Sequence, residues 1–159
     1  MTPARRLYLA YGSNLSSRQM QTRCPEVLPF VAVTIQGWRL DFFGARSGNW
    51  GFGGVASLVE DAPALSYGAL YDLTAADEAR LDEFEGYPSF YAKREDFAQF
   101  IKGVGLAQSD VVFAYLKNDM SIPNPPARAY LETIRQGFAD WELPLEALAD
   151  IEPLASPAN

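Results

Sequence analysis

The sequence predicts an α+β domain built on a mostly antiparallel sheet that can close into a β-barrel, with helices interrupting the strands. Three observations carry this expectation. Runs rich in Val, Ile and aromatic residues follow one another in hairpin succession, helical segments interrupt them without regular alternation, and 159 residues, 48% of them hydrophobic, suit one domain with a sizeable core. Regular strand–helix alternation would have indicated a doubly wound sheet instead. No repeat or linker divides the chain, so residues 1–152 read as a single domain and 153–159 as a disordered tail.

The elements follow in order. Leu7 to Tyr11 is an apolar run that stops on Gly12-Ser13-Asn14, and the polar segment from Ser16 to Cys24 is helix-compatible until Pro25 ends it. Leu28 to Ile35 and Trp38 to Phe43 alternate as two strands, split by Gln36-Gly37. The glycine-rich stretch Gly44 to Gly54 lacks the Gly-Lys-Ser/Thr ending of a phosphate-cradling loop and reads as a mobile hairpin or lid connection. Val55 to Val59 and Leu65 to Tyr71 are two more strands, with Asp61-Ala62-Pro63 turning between them. Thr74 caps a helix that has an acid three positions on, at Asp77, and Gly86 to close it; Leu81 and Phe84 supply its apolar face. Tyr91 to Phe100 alternates imperfectly, Lys102-Gly103 turns, and Val111 to Leu116 is a strand. Pro123, Pro125 and Pro126 lead into a helix from Ala127 to Trp141, and Leu145 to Ile151 forms a last short one.

Composition narrows the function. A net charge of −7 argues against nucleic acid or an anionic membrane as partner, because both demand a surplus of Lys and Arg; the expected ligand is small. No run approaches the roughly 18 apolar residues of a spanning helix, and the apolar patch after Arg5-Arg6 is too short for a secretory signal, so a cytoplasmic protein is expected. Cys24 is the only cysteine, which excludes an intramolecular disulfide. The absence of histidine removes Ser-His-Asp and Cys-His arrangements and the zinc sets that use imidazole. An enzyme with this composition must work with a carboxylate, lysine, tyrosine or backbone.

Two places in the chain attract attention on those terms. The N–H groups of Ser13, Asn14 and Leu15 stand at a strand-to-helix turn, where free donors attract anions and polarised oxygens; the same residues also serve as ordinary turn formers. Glu85 sits in the last turn of its helix, where the helix dipole disfavours a carboxylate, and it lies four positions after Leu81 with Tyr87, Phe90 and Tyr91 behind it. A carboxyl kept partly neutral there can take a proton and return it, although a surface acid at a frayed helix end has the same sequence. Asp82 and Glu83 look like solvent-facing charges. Tyr130, four and eight residues before Ile134 and Phe138, reads as core, and Tyr115 in its alternating strand is ambiguous.

Tyr-Gly-Ser-Asn-Leu near the N-terminus and Glu85-Gly86 followed by Tyr91 together resemble the γ-glutamylcyclotransferase family, or AIG2-like superfamily. The likeness continues through Gly53-Gly54-Val55-Ala56, Ala114-Tyr115-Leu116, Pro125-Pro126 with Tyr130, Leu143-Pro144-Leu145 and Ile151-Glu152-Pro153. It implies a mixed β-barrel flanked by helices and an enzyme in which a γ-glutamyl group's α-amine attacks its own γ-carbonyl, releasing 5-oxoproline and an amine without cofactor or metal. On that resemblance, Glu85 is the general acid/base. Tyr8, Leu9, Ala10, Tyr11, Gly12, Ser13 and Asn14 hold the γ-glutamyl moiety, and Tyr91, Tyr115 and Tyr130 complete the pocket. Pro88, between Glu85-Gly86 and Tyr91, leaves substrate choice unread. A non-catalytic metabolite-binding module of the same fold remains the alternative, and a partner-docking role for aromatics such as Trp50 and Trp141 a third. A homodimer is also left open.

Overall fold

Strands β1 (Arg6–Ala10), β2 (Leu28–Gly48), β3 (Gly51–Asp72), β4 (Tyr91–Arg94) and β5 (Val111–Lys117) form one sheet, and helices α1 (Ser17–Arg23), α2 (Ala75–Glu85) and α3 (Arg128–Asp140) pack around it. The computed structural model describes residues 4–48 and 51–154. Strand order is β2-β3-β1-β5-β4; β1 runs parallel to β5, and every other pair is antiparallel. The α+β class and mixed sheet are as expected, but the sheet is open. β2 and β4 are its edges. The space between them is filled by the 3-10 turn Phe97–Phe100, whose rings lie on Trp38 at 4.9 and 5.5 Å, and by single bridges from Phe43 to Pro123 and Gly54 to Pro126. Gly44 N donates to Ile122 O and Asn124 N to Phe42 O, so the loop touches the edge at one bridge, and its prolines, which lack an N–H, keep that bridge from growing into a closing ladder.

Where four separate strands are expected, one long hairpin occurs. Pairing runs through Gln36↔Leu65 and resumes at Trp38↔Glu60, so Gly37, with a φ of 85°, alone faces the four residues 61 to 64. The expected turn at Asp61-Ala62-Pro63 is thus an excursion within β3 that bends the hairpin. The glycine-rich stretch is the hairpin's end, paired through Arg46↔Gly53, Ser47↔Phe52 and Gly48↔Gly51. Trp50 lies outside the described residues.

Helix ends follow their local chemistry. Ser16 caps α1 by accepting from Gln19 N, and Thr74 caps α2 by accepting from Asp77 N at 3.1 Å. Gly86 closes α2 in the left-handed region at φ 66°, and Tyr87 N returns to Asp82 O at 2.9 Å. The inward stripe of α2 is Asp77, Leu81 and then Glu85, spaced by four, the first two buried and Glu85 half-buried. Phe84 falls off that stripe. It is 56% exposed, against the expectation of an apolar-face residue, and lies 4.9 Å under the Arg23 guanidinium.

On α3, Tyr130, Leu131, Ile134 and Phe138 face the core, and Gly137 sits against Leu15. Leu145 to Ile151, expected as a helix, forms only a 3-10 turn over Leu145–Leu148. Leu154 N donates to Pro126 O at 2.9 Å, so packing persists two residues into the segment expected to be a tail; residues 155–159 lie outside the described residues. Among the described residues no helix is long and apolar enough to cross a membrane.

β1 positions the site. It is central, with Leu7 to Ala10 buried between β3 and β5. Its ladder with β3 continues to Ala10↔Ala69, whereas that with β5 stops at Tyr8↔Phe113. Past Tyr8 the two parallel strands part, and the Tyr11 hydroxyl reaches across to Tyr115 O.

Candidate active site

A cleft of about 410 Å³ opens at this parting, walled by the turn after β1, the last turn of α2 and the start of β3 at Val55 and Ala56. The turn is held from behind. Leu15 N bonds Gly12 O at 3.1 Å and Ser16 N bonds Ser13 O at 3.0 Å, making a single 3-10 turn at Ser13–Leu15. The Tyr71 hydroxyl donates to Asn14 O at 3.0 Å and Trp141 Nε1 to Leu15 O at 3.0 Å. Trp141 is therefore half-buried scaffolding for the turn. The carbonyls are thereby engaged on the protein side, and among the described residues nothing accepts from the N–H groups of Ser13 and Asn14. These are the first donors of a helical turn, which have no partner within it.

Glu85 faces this turn. Its Oε1 accepts from Asn14 Nδ2 at 3.0 Å, and the same amide donates to the Tyr8 hydroxyl at 2.9 Å. Burial pushes the Glu85 carboxyl up to about 7, against the opposing pull of the Arg23 charge and the Asn14 hydrogen bond. Desolvation wins, and a carboxyl that exchanges its proton near neutrality results.

Phenols line the rest. The Ala56 peptide fixes two of them: its N–H donates to the Tyr130 hydroxyl at 3.0 Å, and its carbonyl accepts from Tyr91 at 2.7 Å. Tyr130 is thus both a core residue of α3 and part of the cleft wall, so its two sequence readings meet. Burial holds Tyr8, Tyr11, Tyr91, Tyr115 and Tyr130 above the usual phenol range, and all five stay protonated.

Of the residues singled out from sequence, Glu85, Tyr8, Tyr11, Gly12, Ser13, Asn14, Tyr91, Tyr115 and Tyr130 come together around the cleft. Leu9 and Ala10 do not. They are fully buried behind it. Sequence reading also missed Arg23, which lines the cleft, and Ala56. Asp82, expected in solvent, accepts from the Tyr115 hydroxyl at 2.5 Å and pairs with Lys93 Nζ at 2.8 Å. Lys93, only 8% exposed, also reaches Glu78 at 2.7 Å, and Glu78 binds Arg6 through both oxygens. Lys93→Met takes away Asp82's cation and one of Glu78's two, leaving Asp82 to the Tyr115 hydroxyl and Glu78 to Arg6; it is expected to cost about 2 kcal/mol, measured by denaturant unfolding.

A family model described as "Gamma-glutamyl cyclotransferase, AIG2-like" matches residues 8–141. The chain belongs to this γ-glutamylcyclotransferase family. Two relatives called "Gamma-glutamylcyclotransferase" agree: the human protein is 30% identical and the Bos taurus protein 29%, each over 154 residues, 92% of this chain and 79% of the relative. A solved structure called "Gamma-glutamyl cyclotransferase" superposes with a TM-score of 0.80 at 26% identity, covering 96% of this chain and 91% of that one. YkqA from Bacillus subtilis, 21% identical with a TM-score of 0.67, shares the fold. As a member of the cyclotransferase family the chain is an enzyme, and its cleft is the place to look for the chemistry.

Proposed function

We propose that the protein converts a γ-glutamyl amino acid or γ-glutamyl amine into 5-oxoproline and the free amine, with Glu85 as the proton carrier. The substrate's α-ammonium cannot attack until it loses a proton, and ionised Glu85 takes it. The freed amine then closes on the γ-carbonyl carbon. The oxygen gains negative charge as the carbon becomes tetrahedral, and the N–H groups of Ser13 and Asn14 are suited to receive it. Collapse of that intermediate breaks the bond to the departing nitrogen, which leaves only once Glu85 has returned the proton to it; Glu85, ionised again, takes the second proton from the new ring nitrogen and passes it to the released amine. Ring closure is intramolecular, so much of the acceleration comes from holding the γ-glutamyl chain folded, a task for the Tyr8, Tyr11, Tyr91, Tyr115 and Tyr130 walls.

The observation that carries this reading is the pairing of a near-neutral carboxyl, Glu85, with two uncommitted backbone donors across one cleft. Purified protein incubated with γ-glutamyl amino acids, γ-glutamyl amines and glutathione is expected to release 5-oxoproline from at least one of the first two classes. Release from none of them overturns the reading.

A further inference from the structure

Asn14 is held at both ends of its amide. Its Oδ1 accepts from Gln19 Nε2 at 2.9 Å and Arg23 Nη1 at 3.1 Å, while its Nδ2 donates to Tyr8 and Glu85. Every hydrogen-bonding position of the side chain is filled. Gln19 and Arg23 lie four residues apart on one face of α1, and Gln19 Nε2 also donates to Ser13 Oγ at 2.8 Å. A guanidinium has donors and no acceptor, so an inverted Asn14 amide would turn N–H groups toward Arg23 and its oxygen toward Glu85. Both contacts are repulsive. Arg23 thereby decides which end of Asn14 meets the carboxylate.

We propose that α1 is an orienting clamp in which Arg23, backed by Gln19, is a positioning residue that fixes the Asn14 amide and through it the Glu85 carboxylate. This rests on the reading of Glu85 as proton carrier. The charged and titratable groups facing Glu85 are Tyr8 and Tyr11 from β1 and the residue after it, Tyr91 from β4, Tyr115 from β5, Tyr130 from α3, Glu83 on its own helix, and Arg23. The tyrosines are neutral, and Glu83 is acidic. Arg23 is the one Lys or Arg among the described lining residues, so its charge joins the Asn14 hydrogen bond in favouring ionised Glu85.

The test pairs kinetics with a titration that needs no turnover. Glu85 is followed by ¹³C-carboxyl NMR in the unliganded protein, its signal assigned by its loss in Glu85→Gln. In Arg23→Met the Glu85 midpoint is expected to move up, and the acidic limb of kcat/KM to move with it. A displacement of one pH unit reads as about a tenfold loss of kcat/KM on the acidic side. Arg23→Lys should bring the midpoint back toward that of the parent, and Gln19→Met should lower kcat with the midpoint in place. Arg23→Gln, uncharged but still a donor, is measured in parallel so that the test does not hang on one variant folding; its midpoint should also rise. Unchanged midpoints in both uncharged variants overturn the proposal, as does a raised KM with kcat and midpoints intact, which would make Arg23 a substrate-binding group. A moved NMR midpoint alongside a fully active Glu85→Gln would keep the clamp and discard Glu85 as proton carrier.

Discussion

Glu85→Gln is expected to lose roughly 10²–10⁴ in kcat/KM, about 3–5 kcal/mol of barrier, without losing the fold. The amide keeps the shape and can still meet Asn14, but it neither takes up nor releases a proton at working pH. The same variant has a signature in stability. The folded carboxyl titrates at about 7 against a reference value of 4.5, so the native protein holds this proton more tightly than the unfolded chain does. Ionising Glu85 therefore destabilises the fold. The cost is absent below pH 4.5, grows between 4.5 and 7, and is complete above 7. At pH 8 Glu85→Gln is expected to melt above the parent protein, by on the order of 2–3 kcal/mol or several degrees, with the difference fading as pH falls toward 4.5. Thermal melts at the two pH values check this; a Gln variant less stable at pH 8 would contradict a desolvated carboxylate.

Gly137→Ala should show that the turn is held as tightly as its hydrogen bonds imply. A Cβ at this position of α3 would lie 2.4 Å from Leu15 Cβ, 2.6 Å from Leu15 C and 2.7 Å from Ser16 N. Two of those atoms are backbone and cannot swing aside. Alanine gains about 1 kcal/mol over glycine inside a helix, but forced overpacking against backbone costs about 3 kcal/mol or more, so crowding wins. The net loss is about 2 kcal/mol or more, a fall of several degrees in Tm. Activity should fall too, because α3 can separate from Leu15 only by disturbing Ser13 and Asn14. Gly105→Ala is the control: nothing lies within 4 Å of its Cβ, and it should be neutral within about 0.5 kcal/mol.

What the sequence revealed depends on how far each interaction reaches. Thr74, Asp77 and Gly86 were legible because a cap is settled within a few residues, and Glu85 was legible because its spacing from Leu81 places it on the inward stripe. Phe84 misled because its hydrophobicity says nothing of the Arg23 guanidinium that lies over it. The excursion opposite Gly37 was invisible, since a bulge exists only relative to the partner strand, and residues 61–64 have the composition of a turn. Asp82 looked solvent-facing because Tyr115 and Lys93 come to its helix from strands β5 and β4. Arg23 carries no sequence signal of its own. Its place is set by the Asn14 amide nine residues earlier, and only the packing of α1 on the turn brings the two together.

The position of β1 has a consequence for how the molecule is made. β1 leaves the ribosome before either of its neighbours, yet it must pair with residues 69–72 on one side and 111–113 on the other. During synthesis its first edge is covered only when the end of β3 emerges, and its second stays bare until Phe113 has been added. An apolar strand with an open edge is an invitation to other growing chains. Over that interval Glu85 already exists, but the far wall of its cleft does not. Under the proposed function, the nascent polypeptide is expected to be catalytically silent until translation has passed Tyr115 and Tyr130, and a stalled or truncated product to retain a sticky centre without the chemistry.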